Sequence, residues 1–135
     1  MAKTFKNFIG GEWVAPFTGE YMENRNPADW SDLIGRFPKS GPRDVARAVA
    51  SAARGFELWR KVPAPQRGDV MRRVGDLMVE RKEQIARAMT REMGKVLAET
   101  RGDVQEGIDT AYYAAGEGRR CSATRCRASS GTSGR

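Results

Sequence analysis

The sequence predicts an α-rich chain that begins with a few short strands, and two observations support this fold class. From about residue 42 onward, apolar residues recur at three- and four-residue spacing, which is the period of an amphipathic helix. Before residue 40 the apolar runs are short and end at glycine or proline, as strands joined by turns do. Helices are therefore expected to make up most of the chain.

A β-hairpin is predicted at the start of the chain. Residues 5–9 and Glu12–Val14 are short apolar runs on either side of Gly10-Gly11. A glycine pair suits a two-residue hairpin turn, because that turn needs backbone conformations that glycine adopts without strain.

Two further strands are predicted before residue 40. Tyr21–Asn26 ends at Pro27, and Leu33–Phe37 ends at Pro38. Strands this short do not form a stable sheet alone, so we expect them to pack on another element.

The first predicted helix opens at residues 40–44 and ends by Lys61. Pro42 suits the first helical turn, where its missing N–H costs nothing, and Asp44 places a negative charge at the positive end of the helix dipole. Pro63 and Pro65 cannot continue the helix. The apolar stripe has spacings of four, three, four and three residues: Val45, Val49, Ala52, Phe56 and Trp59.

A long helix is predicted from Pro65 to Met93, and another from Leu97 toward Arg120. Gly94 ends the first of these, because glycine adopts the left-handed conformation that closes many helices. The stripe of the first is Val70, Val74, Leu77, Met78, Ile85, Met89 and Met93, and that of the second is Leu97, Val104, Ile108, Ala111, Tyr112 and Ala115. Both stripes are expected to be buried faces.

Length and charge limit the possible functions. The chain has 135 residues, which is enough for one domain at most, and its composition is 39% hydrophobic and 30% charged, as in globular proteins. The net charge is +7, but the last fifteen residues contribute +3 of it, leaving +4 for residues 1–120. In that part basic and acidic residues alternate along helix faces, so we do not predict nucleic-acid binding.

Other classes of site are also not predicted. The chain has no run of about 18 apolar residues to span a membrane and no apolar signal region at its start, so a cytoplasmic protein is expected. Cys121 and Cys126 have the wrong spacing for a zinc site, and the chain has no histidine to act as a metal ligand or as a base for a reactive thiol. No catalytic or metal-binding residue is therefore predicted.

Six short motifs follow one another in the first 120 residues with a specific order and spacing. They are Phe8-Ile9-Gly10-Gly11-Glu12-Trp13; Asn26-Pro27-Ala28; Asp44-Val45 with Ala48-Val49; Phe56-Glu57-Leu58-Trp59 with Pro65 and Arg67; Glu92-Met93-Gly94-Lys95; and Asp103-Val104-Gln105-Glu106 leading to Tyr112-Tyr113-Ala114-Ala115-Gly116. In this arrangement the chain resembles the first quarter or so of the aldehyde dehydrogenase superfamily.

The resemblance implies an α/β fold with an NAD(P)-binding domain, a catalytic domain and a small oligomerisation arm. Only the N-terminal hairpin, strands and flanking helices of the cofactor-binding domain would be present, in residues 1–120. The full-length protein would oxidise an aldehyde to a carboxylic acid with NAD or NADP and would form a homo-oligomer.

The resemblance also implies that the catalytic parts come later than residue 135. The family's catalytic cysteine, general-base glutamate, oxyanion-hole asparagine and glycine-rich cofactor turn all follow this region, so no catalytic or cofactor-binding role is carried over. The chain alone is expected to be inactive and, without the sheet that its helices cover, partly folded or prone to aggregate. The alternative is a small helical fragment that binds a partner protein and has no enzymatic role.

Three residues are candidates for the substrate tunnel, which the last helix borders in this family. Glu106, Asp109 and Tyr113 are polar and lie on one face of that helix, where they could meet a polar aldehyde. The alternative is a solvated helix face, since most helical carboxylates contact water.

Residues 121–135 differ in composition from everything before them. They contain no large apolar residue and no periodicity, which predicts a disordered segment. We hypothesise a reading-frame shift after Arg120. Codons for Cys121 to Ser130 exist that, when one lost base, a C, is restored in front of them, read Leu-Leu-Gly-His-Thr-Val-Pro-Ser-Glu-Leu. This matches the segment that the family resemblance implies. A gene sequence whose neighbouring frame gives no such segment would exclude the shift, leaving a natural low-complexity tail.

Overall fold

The structure is a computed structural model that describes residues 3–120. Its elements are β1 (Asn7–Ile9), β2 (Glu12–Val14), β3 (Tyr21–Asn26), β4 (Asp29–Pro38), α1 (Pro42–Trp59), α2 (Ala64–Glu80), α3 (Lys82–Met93) and α4 (Leu97–Glu117). The predicted disordered, out-of-frame segment, residues 121–135, lies outside the described residues. Among residues 3–120, no helix is long and apolar enough to cross a membrane.

The strands form two separate antiparallel hairpins. The predicted β1–β2 hairpin is confirmed, with Ile9 opposite Glu12 across a turn in which Gly10 and Gly11 both have positive φ. β3 pairs with β4 from Tyr21 opposite Pro38 to Asn26 opposite Asp29. β4 therefore begins four residues earlier than the predicted strand, since the turn after β3 leads directly into it.

Asp44 joins the turn before β3 to the start of α1. Its carboxylate is buried and accepts hydrogen bonds from the backbone N–H of Phe17 at 2.9 Å and of Gly41 at 3.0 Å. The guanidinium of Arg43 lies 3.4 Å from the centre of the Phe17 ring. The predicted first-turn carboxylate thus also anchors a loop 27 residues away in sequence.

The prediction of one helix from Pro65 to Met93 is wrong, because the helix breaks at Arg81. The backbone there has φ −108° and ψ 11°, and α3 begins at the next residue, Lys82. A straight helix over residues 65–93 would be about 44 Å long, whereas α4 is about 31 Å long. The break lets α2 and α3 both pack along α4.

The core lies where α3 meets α4. Ala86, Val104 and Ile108 are buried together, and the partly buried Met78, Ile85, Met89 and Leu97 pack around them. The hydroxyls of Thr90 and Thr100 are 2.8 Å apart and join the two helices inside this region. The predicted apolar stripe of α4 is therefore confirmed as a buried face at its centre.

Glycines bring the backbones of α2 and α4 into close contact. A Cβ on Gly68 would lie 2.6 Å from the carbonyl oxygen of Ala115, and one on Gly118 would lie 2.6 Å from that of Ala64. Because backbone atoms cannot move aside as a flexible side chain can, these two positions accept only glycine without a shift of the helices.

The same crossing explains why the predicted stripe of the first long helix is partly wrong. Val70 and Val74 are half-exposed, at 50% and 39%. Gly75 faces α4 instead, and a Cβ there would lie 2.8 Å from the ring of Tyr112. The Tyr112 hydroxyl donates a hydrogen bond to Asp76 at 3.0 Å, and this bond raises the pKa of Tyr112.

The apolar face of α1 is exposed in the described part of the chain. Val45, Val49 and Phe56 are 57%, 63% and 58% exposed, although their spacing predicts a face that packs on another element. An apolar face of this length on a helix usually lies against other protein. Among the described helices and strands, β1 is the element with the most extensive contact with α1.

We expect Gly68→Ala to destabilise the helical unit, because the new methyl group would overlap the carbonyl oxygen of Ala115. The expected loss in the free energy of unfolding is about 1–3 kcal/mol, as for overpacking of a tight contact. The measurement is urea unfolding, followed by far-UV circular dichroism, of a full-length protein that contains these residues, because the chain alone is expected to be only partly folded. Gly55→Ala on α1 is the matched control. A Cβ there meets nothing within 4 Å, so it should stabilise by up to about 1 kcal/mol. Equal effects of the two substitutions would contradict the close crossing of α2 and α4.

Candidate functional site

The three residues predicted from the sequence lie on the outer face of α4. Glu106, Asp109 and Tyr113 follow one another at spacings of three and four residues, so the helix places them on one side. All three are exposed, and the buried Val104 and Ile108 lie on the opposite side. The structure therefore brings the three candidates together on one surface, while their role in a substrate tunnel stays a prediction.

Asp109 is held in place by a chain of polar contacts from α3. Lys82 donates a hydrogen bond to the side-chain oxygen of Gln105 at 2.7 Å, and the Gln105 amide donates to Asp109 at 2.9 Å. Among the described residues, Glu106 and Tyr113 form no side-chain hydrogen bond of this kind. Their polar atoms are thus available to a molecule that approaches α4 from outside.

A second polar pair borders this face at the start of α4. Lys95 donates a hydrogen bond to Asp103 at 2.6 Å, and this bond, with the negative charges of Glu99 and Glu106, raises the pKa of Lys95. Sequence reasoning missed this pair. The sequence signal for this pair is an aspartate, Asp103, about two helical turns after a lysine, Lys95, that stands just before α4.

Two of the sequence motifs meet at the end of α3. Gly94 has a φ of 74°, and a Cβ there would lie 2.9 Å from the ring of Pro27. One turn earlier, Arg91 donates to both carboxylate oxygens of Asp32, at 2.6 Å from its Nε, and lowers the pKa of Asp32. The same guanidinium donates to the carbonyl of Leu33 at 3.2 Å. The β3–β4 hairpin is thereby fixed to the helical unit at the turn that precedes α4.

Within residues 3–120, no cluster of three or more His, Cys, Asp or Glu side chains could hold a metal ion. Cys121 and Cys126 lie outside the described residues. The polar groups that the structure places on and beside this face of α4 are carboxylates, a phenol and an ammonium.

Comparison with known proteins identifies the family. The sequence model of the Aldehyde dehydrogenase family matches residues 13–134. The chain is 43% identical over 117 residues to alpha-ketoglutaric semialdehyde dehydrogenase of Bacillus subtilis, covering 87% of this chain and 24% of that protein. It is also 43% identical over 114 residues to malonate-semialdehyde dehydrogenase 2 of Geobacillus thermodenitrificans, covering 84% of this chain and 23% of that protein.

Solved structures give the same result for the fold. An NAD-dependent aldehyde dehydrogenase from Sinorhizobium meliloti matches with a TM-score of 0.82 and 28% identity, over 87% of this chain and 24% of that one. A betaine aldehyde dehydrogenase from Staphylococcus aureus, in complex with NAD+, matches with a TM-score of 0.79 and 30% identity, over 82% and 22%. The chain thus spans about a quarter of the length of these relatives and has the fold of their N-terminal part. The predicted resemblance is confirmed, and the chain belongs to the aldehyde dehydrogenase family.

Proposed function

We propose that this chain is the N-terminal quarter of an enzyme that oxidises an aldehyde to a carboxylic acid with NAD+ or NADP+. The observation that supports this proposal most strongly is the family match over residues 13–134, together with a matching fold. The relatives named above include semialdehyde dehydrogenases and an NAD+ complex, so a small aldehyde and a nicotinamide cofactor are the natural candidates.

The described residues do not by themselves fit a dinucleotide. Such sites are usually built on a parallel strand, a glycine-rich turn and the N-terminus of the next helix. Among residues 3–120 both sheets are two-stranded and antiparallel, and no strand leads through a glycine-rich turn into a helix in that way. We therefore assign cofactor binding to the polypeptide that follows, and no catalytic role to any residue described here.

Residues 1–120 would instead supply the outer layer of the cofactor-binding domain. The exposed apolar face of α1, with Val45, Val49 and Phe56 in one row, is suited to cover a sheet larger than the two hairpins of residues 3–120. α3 and α4 are already packed on each other, which leaves the Glu106 face of α4 available to border a substrate path.

A fusion protein tests the proposal. Residues 1–120 are joined to the remaining three quarters of the Bacillus subtilis relative. We expect the fusion to reduce NAD(P)+ in the presence of an aldehyde, measured by the absorbance of the reduced cofactor. The 135-residue chain and the remaining three quarters, each expressed alone, are the controls. A fusion that folds and binds cofactor, yet oxidises none of the aldehydes that the relative accepts, would contradict the proposal.

The outer face of α4 is proposed as a wall of the substrate path, with Glu106, Asp109 and Tyr113 lining it. The semialdehydes named for the relatives carry carboxylates, and a carboxylate on this wall would repel them. The repulsion between two unit charges about 8 Å apart is about 0.5–2 kcal/mol in a partly solvated site. This energy corresponds to a factor of about 2 to 30 in kcat/KM for an anionic aldehyde. Charge on this face therefore discriminates between anionic and neutral aldehydes.

We expect Glu106→Gln in the active fusion to raise kcat/KM for a carboxylate-bearing semialdehyde by at least about twofold relative to a neutral aldehyde of similar length. The substitution removes one negative charge and keeps the shape of the side chain. Glu92→Gln on α3, also an exposed glutamate, is the matched control and should change neither value. If Glu106→Gln leaves the ratio of the two kcat/KM values unchanged, Glu106 lies on a solvated face and not on the substrate path.

The alternative function, a small helical fragment that binds a partner protein, is supported by the same exposed face of α1. The gene distinguishes the two functions. An open frame beyond codon 135 that encodes a glycine-rich turn, a glutamate and a reactive cysteine supports the enzyme. A stop codon with no such sequence in any reading frame beyond it leaves the interaction fragment as the alternative.

A further inference from the structure

Two aromatic rings lie exposed on one face of the β1–β2 hairpin. Phe8 and Trp13 are paired across the hairpin, with ring centroids 4.9 Å apart, and are 60% and 66% exposed. Because side chains alternate along a strand, Ile9 and Glu12 belong to the other face of the hairpin. Adjoining exposed rings form an apolar patch of the kind that marks many binding sites.

The segment before β1 forms a cleft with Trp13. Residues 3–6 and Trp13 line this cleft, which has a volume of about 290 Å³. Phe5 and Trp13 supply aromatic surface, and Thr4 adds a hydroxyl that can donate or accept a hydrogen bond. This volume is near the lower end of the range for small-molecule sites, so the cleft suits a ligand of one or two rings.

Pairing with β4 holds one wall of the cleft in place. The backbone N–H of Phe5 donates to the carbonyl of Arg36 at 2.8 Å, and that of Arg36 donates to the carbonyl of Lys3 at 2.9 Å. The Phe5 ring stacks on Phe37, with centroids 4.4 Å apart. A Cβ on Gly35 would lie 2.6 Å from the Phe5 ring, so a glycine is needed for this close approach. The wall is therefore formed before a ligand binds, which lowers the entropy cost of binding.

Two lysines give the cleft a positive charge. The ammonium of Lys3 lies 4.8 Å from the centre of the Phe5 ring, and Lys6 is also part of the lining. No salt bridge to either lysine occurs among residues 3–120. Glu23 on the neighbouring β3 is already paired with Arg25 at 2.9 Å. Lysines that no described acid neutralises attract an anion to the cleft.

We propose that this cleft binds a small aromatic phosphate monoester, with the ring of the ligand stacked on Trp13 and its phosphate at Lys3 and Lys6. The indole offers a broad, flat and exposed surface for stacking. A phosphate monoester carries nearly two negative charges at neutral pH, which matches two ammonium groups. The site lies on the β1–β2 hairpin, whereas the proposed substrate path follows α4, so this inference goes beyond the proposed function.

The test is isothermal titration calorimetry of the full-length fusion described above with 1-naphthyl phosphate. Trp13→Ala should weaken binding at least about fivefold, because the stacking of an aromatic ring on tryptophan is lost. Trp30→Ala is the matched control. Trp30 is 73% exposed and is not part of the cleft, so its loss should change Kd by less than about twofold. The difference between variants is the readout, because the cofactor site of the fusion also accepts phosphates and is the same in all of them.

Two further comparisons test the role of charge. Lys6→Gln should weaken binding about two- to fivefold, because one of the two ammonium groups is lost. Lys61→Gln removes the same charge from an exposed lysine just after α1 and should have little effect. Two partial ligands, 1-naphthol without the phosphate and inorganic phosphate without the ring, should each bind at least about fivefold more weakly than the probe.

The outcomes separate this inference from the proposed function. Unchanged binding in either Trp13→Ala or Lys6→Gln overturns the site, as does a structure of the fusion in which later polypeptide fills the cleft. If Trp13→Ala does not accumulate in folded form, a crystal structure of the unsubstituted fusion with the probe decides. A naphthyl ring stacked on Trp13 supports the site, and a probe bound only elsewhere overturns it. Binding is measured without an aldehyde, so an active fusion that does not bind the probe at the cleft contradicts this inference alone.

Discussion

The close approach of α2 and α4 is the constraint on which the rest of the helical unit depends. Gly68 and Gly118 let the two backbones touch, and Gly75 leaves room for the ring of Tyr112. Side chains at these positions would separate the helices, so Tyr112 would lose its hydrogen bond to Asp76. With the other side of α4 packed in this way, its polar face with Glu106, Asp109 and Tyr113 is exposed.

Most helices and strands could be predicted from the sequence because residues inside or next to each element determine where it begins and ends. Gly10-Gly11 fixes the first hairpin, and Gly94, in the left-handed conformation, ends α3 as predicted. The break at Arg81 was missed, since the residues around it, Glu80 to Glu83, all favour helix and carry no stop signal. The inward face of α2 was missed as well. A hydrophobic pattern identifies large apolar side chains such as Val70. The face of α2 that contacts α4 instead contains glycines, which contribute nothing to such a pattern.

The sequence could predict which candidate residues share a face of α4, but not what contacts that face. Periodicity places Glu106, Asp109 and Tyr113 on one side of α4, and the structure agrees. In the full-length enzyme proposed above, later polypeptide would decide what approaches that side, and no local pattern in this chain describes it. The same limit explains the missed contact of Arg91 with Asp32, which are 59 residues apart and whose pairing follows from tertiary packing alone.

The exposed face of α1 has a consequence for how the protein is made. Translation proceeds from the N-terminus, so in the full-length enzyme proposed above this quarter would leave the ribosome before the polypeptide that covers Val45, Val49 and Phe56. At usual elongation rates, the other three quarters of such an enzyme would require roughly twenty seconds to a minute. During that interval the nascent chain would present a row of apolar side chains to solvent. A chaperone that holds such rows in newly made chains would therefore meet its first binding site in α1, before any catalytic residue has been synthesised.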